Sequence, residues 1–374
     1  MHVINLSCEG FRNLAPCEIE ADPGVNIIYG DNAQGKTNLV ESIWLFTGGK
    51  SFRGSKDNEL PAFGKDRAKI GLRFFGEERE QTAEILIGQK REFTLNKIPG
   101  KQAGDMAGAF HAVVFSPLHL KLVENGPEIR RKFMDAAISQ IYPKYMDLQR
   151  RYYRAVQQRN SALRDIRFHP EIFDLISIFE NSIAGLGGRI IRYRLRYLHA
   201  LCKYAPEIYA GIAGGRESLQ VSYQSKADIC TENERQNAAA LLEALSTSRE
   251  GDMQTGATSV GPHRDDMEIF ISDRPVRAFG SQGQKRSAVL SLKLAEAEVL
   301  RETTGEQPVA LLDDVMSELD LSRQEYILNH IGRFLSPAAI RDRQRHSQGV
   351  KFSIWKTAIL RSSEKAFAFL RRDF

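Results

Sequence analysis

One stretch, Gly30-Asp31-Asn32-Ala33-Gln34-Gly35-Lys36-Thr37, constrains this chain more than any other. It completes the pattern G-x-x-x-x-G-K-[ST] between an apolar run, Val25-Asn26-Ile27-Ile28-Tyr29, and a helical pattern from Thr37 to about Phe46. A strand that enters a helix through such a loop lets backbone N–H groups curl round phosphate oxygens. The positive end of the helix lies behind them. On this reading Lys36 neutralises the β- and γ-phosphates and the Thr37 hydroxyl holds Mg²⁺. A chance glycine loop is the bland alternative, and the flanking strand and helix count against it.

A second apolar strand, Val309-Ala310-Leu311-Leu312, ends in Asp313-Asp314. This predicts Asp313 as a Mg²⁺ ligand and Asp314 as the catalytic acid that polarises the attacking water. Buried strands ending in acids are common, so this signal gains weight from its neighbours. Upstream, Ser281-Gln282-Gly283-Gln284-Lys285-Arg286 opens a long helix expected over 281–303. A helix starting at a serine suits an anion, and a plain helix cap is the alternative.

Length and composition set the frame. The chain has 374 residues, of which 42% are hydrophobic and 26% charged, as in soluble globular proteins with one large or two ordinary domains. No apolar run approaches the ~20 residues of a membrane helix. The start, Met1-His2-Val3-Ile4-Asn5, has no signal-peptide pattern, so a cytoplasmic protein is expected. Cys8, Cys17, Cys202 and Cys230 form no CxxC pair and predict free or buried thiols in a reducing compartment. The net charge of +5 is mild, but its distribution is uneven. Arg130, Arg131, Lys132, Arg150, Arg151, Arg154, Arg159, Arg164 and Arg167 crowd one stretch, followed by Arg189, Arg192, Arg194 and Arg196. Such clustering fits phosphate contacts, or equally a solvated helical face.

Along the chain, strands are expected at 2–8, 17–21 and 25–29, and an antiparallel meander around 70–75, 82–87 and 92–95. Ala112-Val113-Val114-Phe115 reads as a buried strand stopped by Ser116-Pro117. From about 125 to 213 the pattern is helical. Short strands at 219–223 and 268–271 flank a helix over 232–248, with a polar loop expected over 247–259. A helix over 321–334 closes the readable part.

The order Ser281-Gln282-Gly283-Gln284, then the acidic strand, then Ser317-Glu318-Leu319-Asp320 resembles the signature, Walker B and D-loop of ABC ATPases. In that family the signature Ser and Gly bind the γ-phosphate of a nucleotide held by a partner subunit. This would add Ser281, Gly283 and Gln284 to the nucleotide site. The long separation of Lys36 from Ser281 resembles the SMC-like DNA-repair branch, here without a coiled-coil arm. Gly10-Phe11-Arg12-Asn13-Leu14, Ser51-Phe52-Arg53, Arg130-Arg131-Lys132-Phe133-Met134-Asp135, Gln158-Arg159-Asn160 and Gly261-Pro262-His263-Arg264-Asp265-Asp266 resemble the RecF family, over residues 1 to about 331.

The resemblance implies an α/β fold: an ABC-type (P-loop) ATPase head with a mixed sheet plus a helical second lobe. The expected divisions are 1–125 and 251–335 for the ATPase lobe, 126–250 for the helical lobe, and 336–374 for an aberrant tail. It also implies an ATP- and Mg²⁺-dependent homodimer with slow hydrolysis. Its expected ligand is single-stranded, double-stranded or gapped DNA, and its partners are RecR and RecO, with RecA loading downstream, in DNA repair, replication restart and the SOS response. Within Gly261–Asp266, His263 and Arg264 either make phosphate or subunit contacts or form a structural turn with Arg264 paired to Asp265 or Asp266. Arg53 is either a nucleotide or DNA sensor or one half of a surface ion pair. A nuclease-coupled SMC-like ATPase would need a further acidic domain, and an inactive RecF-like pseudo-ATPase is the other alternative.

The sequence departs from the family in two places. Ser116-Pro117-Leu118-His119-Leu120 stands where acidic residues are usual, so no catalytic role is assigned there. After Ile331 the chain lacks the expected strand and hairpin pattern and becomes basic. Permitted codons for residues 332–340, read two bases later, give Gln-Val-Phe-Ile-Thr-Cys-Cys-Asp, an apolar strand ending in an acid. A similar recoding of 349–359 reaches an Asn-Gly turn. We therefore expect a frameshift near Gly332, which would deprive the sheet of its last strands.

Overall fold

The computed structural model describes residues 1–100, 103–166, 168–229, 231–315, 319–332, 345–347 and 350–355. The chain divides into two compact units, one of residues 1–119 with 296–374 and the other of residues 120–295. Among the described residues no helix is long and apolar enough to cross a membrane.

The first unit begins with β1 (His2–Glu9), β2 (Cys17–Glu20), β3 (Val25–Tyr29) and α1 (Lys36–Trp44), then β4 (Ala68–Gly76), β5 (Arg79–Ile87), β6 (Arg91–Leu95), β7 (Ile98–Pro99) and β8 (Ala112–Phe115). The expected meander is present as one antiparallel sheet in the order β2-β1-β4-β5-β6-β7. Alternation sets its faces: Ile70, Leu72 and Phe74 of β4 and Ala83, Ile85 and Ile87 of β5 are buried. By contrast β8 is buried at every position, as a strand in a parallel pair should be.

The second unit carries α2 (Lys121–Glu124), α3 (Pro127–Ile141), α4 (Lys144–Asp165), α5 (Phe173–Ala213), β9 (Leu219–Gln224), α6 (Glu234–Thr255), β10 (Asp266–Ile271), β11 (Arg274–Pro275) and α7 (Val276–Phe279). A three-stranded sheet, β11-β10-β9, lies among these helices. α5 and α6 approach closely because Gly188 has no side chain: a Cβ there would sit 2.7 Å from the Ala238 backbone nitrogen. α8 (Gln282–Thr304) then carries the chain from the second unit into the first, where β12 (Val309–Leu312) and α9 (Leu321–Gly332) follow. Residues 251–295, grouped with the ATPase lobe from sequence, cluster with the helical unit. β12 lies parallel to β8, with Leu311 opposite Val114.

Two expectations are corrected in the second unit. The loop expected over 247–259 is helical as far as Thr255, and α6 stops where Gly256 adopts φ 66°. Asp252, buried at 1% exposure, accepts from Arg159 and so holds that last turn inside the unit. The arginine-rich stretch is neither wholly a phosphate-facing surface nor wholly a solvated face. Arg130, Arg159 and Arg194 are buried and pair with Asp266, with Glu180 and Asp252, and with Asp135. Arg151, Arg154, Arg189, Arg192 and Arg196 remain exposed.

Cys8, Cys17 and Cys202 are free thiols, while Cys230 lies outside the described residues. Ser317 and Glu318 of the expected D-loop also lie outside them, as does most of the tail after Gly332. Backbone strands β13 (Arg345–Ser347) and β14 (Val350–Trp355) are described, and β14 runs antiparallel to β3 with Ser353 opposite Ile27. Two strands thus follow residue 332 in the chain as written, and the expected frameshift concerns residues that lie mostly outside the described ones.

Candidate functional site

The loop from Gly30 to Thr37 runs from β3 into α1, as its pattern requires. Gly30, Ala33 and Gly35 all have positive φ, at 149°, 66° and 98°. Gly35 is needed on two counts, since a Cβ there would also lie 2.5 Å from Leu14 Cδ2. Asp31, Asn32, Ala33 and Gln34 are exposed. The Lys36 ammonium bends back over the loop and donates to the carbonyls of Gly30 and Asp31, the latter at 3.0 Å.

Side chains from two stretches without an assigned local role brace this loop. Asn13 Nδ2 donates to the Ala33 carbonyl at 2.8 Å, and Asn13 Oδ1 accepts from Asn38 Nδ2 at 2.6 Å. Arg53 Nη1 donates to Asn38 Oδ1 at 2.7 Å and lies 3.8 Å from Glu41 Oε2. Arg53 is thus half of an ion pair, but its partner is a buried carboxylate and not one on the surface. Glu41, fully buried on α1, receives a fork from Arg12 at 3.0 and 2.9 Å and a hydrogen bond from Ser51. A buried carboxylate needs such partners, and here they pin the loop's helix to the sheet side.

Asp313 follows β12, and its N–H donates to the Phe115 carbonyl at 2.8 Å, continuing the parallel ladder. Thr37 Oγ1 donates to Asp313 Oδ1 at 2.7 Å. Burial pushes the Asp313 carboxyl above the usual carboxylate range and the neighbouring Asp314 adds to this, while hydrogen bonds from Thr37 and Ser116 and the charge of Arg53 oppose it. Ser116 is the residue that sequence reasoning left without a role. It lies at the end of β8, and strand pairing brings it to Asp313. Asp314 is exposed, with its backbone in the left-handed region at φ 50°. Among the described residues no group of three or more His, Cys, Asp or Glu is arranged for a metal. One hydroxyl and one carboxylate instead fit a hard cation that takes its other oxygens from phosphate and water.

Ser281, Gly283 and Gln284 belong to the other unit. Ser281 Oγ accepts from the Gln284 N–H at 3.2 Å, and Gln284 Oε1 accepts from the Ser281 N–H at 2.8 Å, a reciprocal cap at the start of α8. In the Gly261–Asp266 loop, Arg264 pairs with neither neighbouring acid, so the turn does not take the form that one of the two alternatives gave it. Its Nε donates to the Thr258 carbonyl at 3.2 Å, while Asp266 binds Arg130 and Asp265 accepts from Tyr223 at 2.6 Å. His263 sits between the Tyr152 hydroxyl at 2.8 Å and the Thr258 carbonyl at 3.1 Å. Burial lowers its pKa to about 4, so it is a neutral structural histidine.

The sequence profile of the RecF/RecN/SMC N terminal domain matches residues 2–338. The DNA replication and repair protein RecF of Lactobacillus delbrueckii subsp. bulgaricus is 38% identical over 335 residues, covering 88% of each chain. RecF of Clostridium acetobutylicum is 40% identical over 334 residues, covering 88% of this chain and 90% of its own. A solved structure of the recombination mediator protein RecF-ATP in the RecFOR pathway superposes with a TM-score of 0.83 at 38% identity over 88% of both chains. The expected ABC-type ATPase head with a mixed sheet and a helical lobe is therefore the fold, and the chain belongs to the RecF family of DNA replication and repair proteins.

Proposed function

We propose that this chain is a cytoplasmic recombination mediator that binds ATP with Mg²⁺ and uses the nucleotide to close a dimer on DNA. The observation that carries this reading is the hydrogen bond from Thr37 to Asp313, which joins two motifs 276 positions apart at the mouth of a phosphate-type loop. N–H groups of Gly30 to Gly35 would cradle the phosphates, with Lys36 turning from loop carbonyls to phosphate oxygens. Thr37 and Asp313 would hold Mg²⁺, whose charge, when bound, stabilises the β- and γ-phosphate oxygens. Asp314 would orient the attacking water. Ser281, Gly283 and Gln284 of a second copy would close over the γ-phosphate. The resemblance of the motif order and the relative solved with ATP support this reading.

The DNA assignment rests on the family's role in replication and repair and on the exposed arginines of α4 and α5, which suit phosphate contacts. RecR and RecO as partners, and RecA loading on gapped DNA, follow from the same family reading. A test is retention of a labelled gapped duplex with and without ATP and Mg²⁺. The proposal predicts tighter binding with nucleotide for the wild type and none of that gain for Lys36→Ala. Nucleotide-independent binding by both would refute it.

A further inference from the structure

Resting on that reading, we infer that Glu217 is a positioning residue for the signature at the start of α8, fixing the orientation of the Gln284 amide. Glu217 lies between α5 and β9, far from Gln284 in sequence, yet its Oε1 accepts from Gln284 Nε2 at 2.6 Å. Its other oxygen, Oε2, accepts from the hydroxyl of Tyr209, a buried residue in the last turns of α5, at 2.7 Å. Both contacts lie within the second unit. An ionised carboxylate can only accept, so it selects the NH₂ end of the amide and turns the carbonyl end away. That carbonyl end, Gln284 Oε1, is the acceptor for the Ser281 N–H, and the Gln284 N–H in turn donates to Ser281 Oγ.

Tyr209, Glu217, Gln284 and Ser281 therefore form one directed chain of hydrogen bonds from the end of the long helix to the signature serine. Reversing the Gln284 amide would set two donors, its NH₂ and the Ser281 N–H, against each other and release the cap. The site is accessible for such a role. Ser281 and Gln282 are exposed, and a cleft of about 330 Å³ beside them is lined by Glu217, Arg274, Phe279 and Gln284. The serine thus meets its ligand from a pre-set position only while Glu217 holds the amide.

The test uses the full chain with Glu217→Ala, Glu217→Gln and Tyr209→Phe. Two readouts are needed: hydrogen exchange at the 276–286 segment without nucleotide, and the ATP-dependent monomer–dimer equilibrium. Glu217→Ala should speed exchange at Ser281 and weaken ATP-driven dimerisation about tenfold. ATP affinity at the Gly30–Thr37 loop should stay within about twofold. Glu217→Gln should give an intermediate effect, because a neutral amide can present either end, and Tyr209→Phe a smaller one in the same direction. Unchanged exchange at Ser281 in a folded Glu217→Ala variant would overturn the inference whatever the dimer does. If exchange rises but the wild type itself never dimerises with ATP, the positioning role stands and the dimer-switch reading falls.

Discussion

Thr37 and Asp313 touch through a single hydrogen bond of 2.7 Å, although 276 positions of chain separate them. The contact exists because β12 pairs with β8 and ends beside the loop that opens α1. Removing the hydroxyl while keeping its volume, as in Thr37→Val, should lower Mg²⁺-dependent ATP affinity about tenfold. Titration calorimetry with Mg²⁺ and with EDTA checks this. An equal loss under both conditions would mean that Thr37 serves the loop's shape and not the cation.

The buried cluster around Arg159 should dominate the stability of the second unit. Arg159 is fully buried against Glu180 at 2.9 Å and Asp252 at 2.7 Å, and it also donates to Thr258. Arg159→Met leaves the buried Asp252 without its cationic partner, while Glu180 keeps a fork from Arg249, and should cost about 3–5 kcal/mol in urea unfolding. Adding Asp252→Asn should recover much of that loss, because the unpaired charge is the larger part of the penalty.

Stability should also fall with acid in a defined window. His263 and His111 are each depressed by burial to about 4 from an ordinary value of 6.5. Between those values the unfolded chain binds protons that the folded chain refuses. Unfolding therefore becomes more favourable as pH drops through that window, and the histidines' contribution is flat above it. Thermal melts from pH 7.5 down to pH 4.5 should show the decline, and His263→Gln should flatten its share. A melt that rose on acidification would contradict the burial of these rings.

Strands and motifs were legible because their signals are local. The loop glycines, the alternation in β4 and β5 and the apolar runs of β8 and β12 each carry their own pattern. What stayed hidden depends on partners distant in sequence. Arg159 and Arg151 read alike, and only packing of α5 and α6 against α4 buries the first and leaves the second in water. Ser116 stands in a segment that departs from the family pattern, and its link to Asp313 follows from strand pairing. Asn13 and Asn38 show no spacing that would reveal their brace on Ala33. Residues 247–255 read as loop from their polarity, yet Asp252 on that turn is one of the most buried carboxylates.

Sedimentation of the purified chain with ATP and Mg²⁺, with ADP and Mg²⁺, and without nucleotide decides whether nucleotide drives assembly. A monomer is expected without nucleotide and with ADP, a dimer with ATP, and a monomer throughout for Lys36→Ala and for Ser281→Arg. A folded wild-type chain whose mass is the same in all three conditions would contradict it.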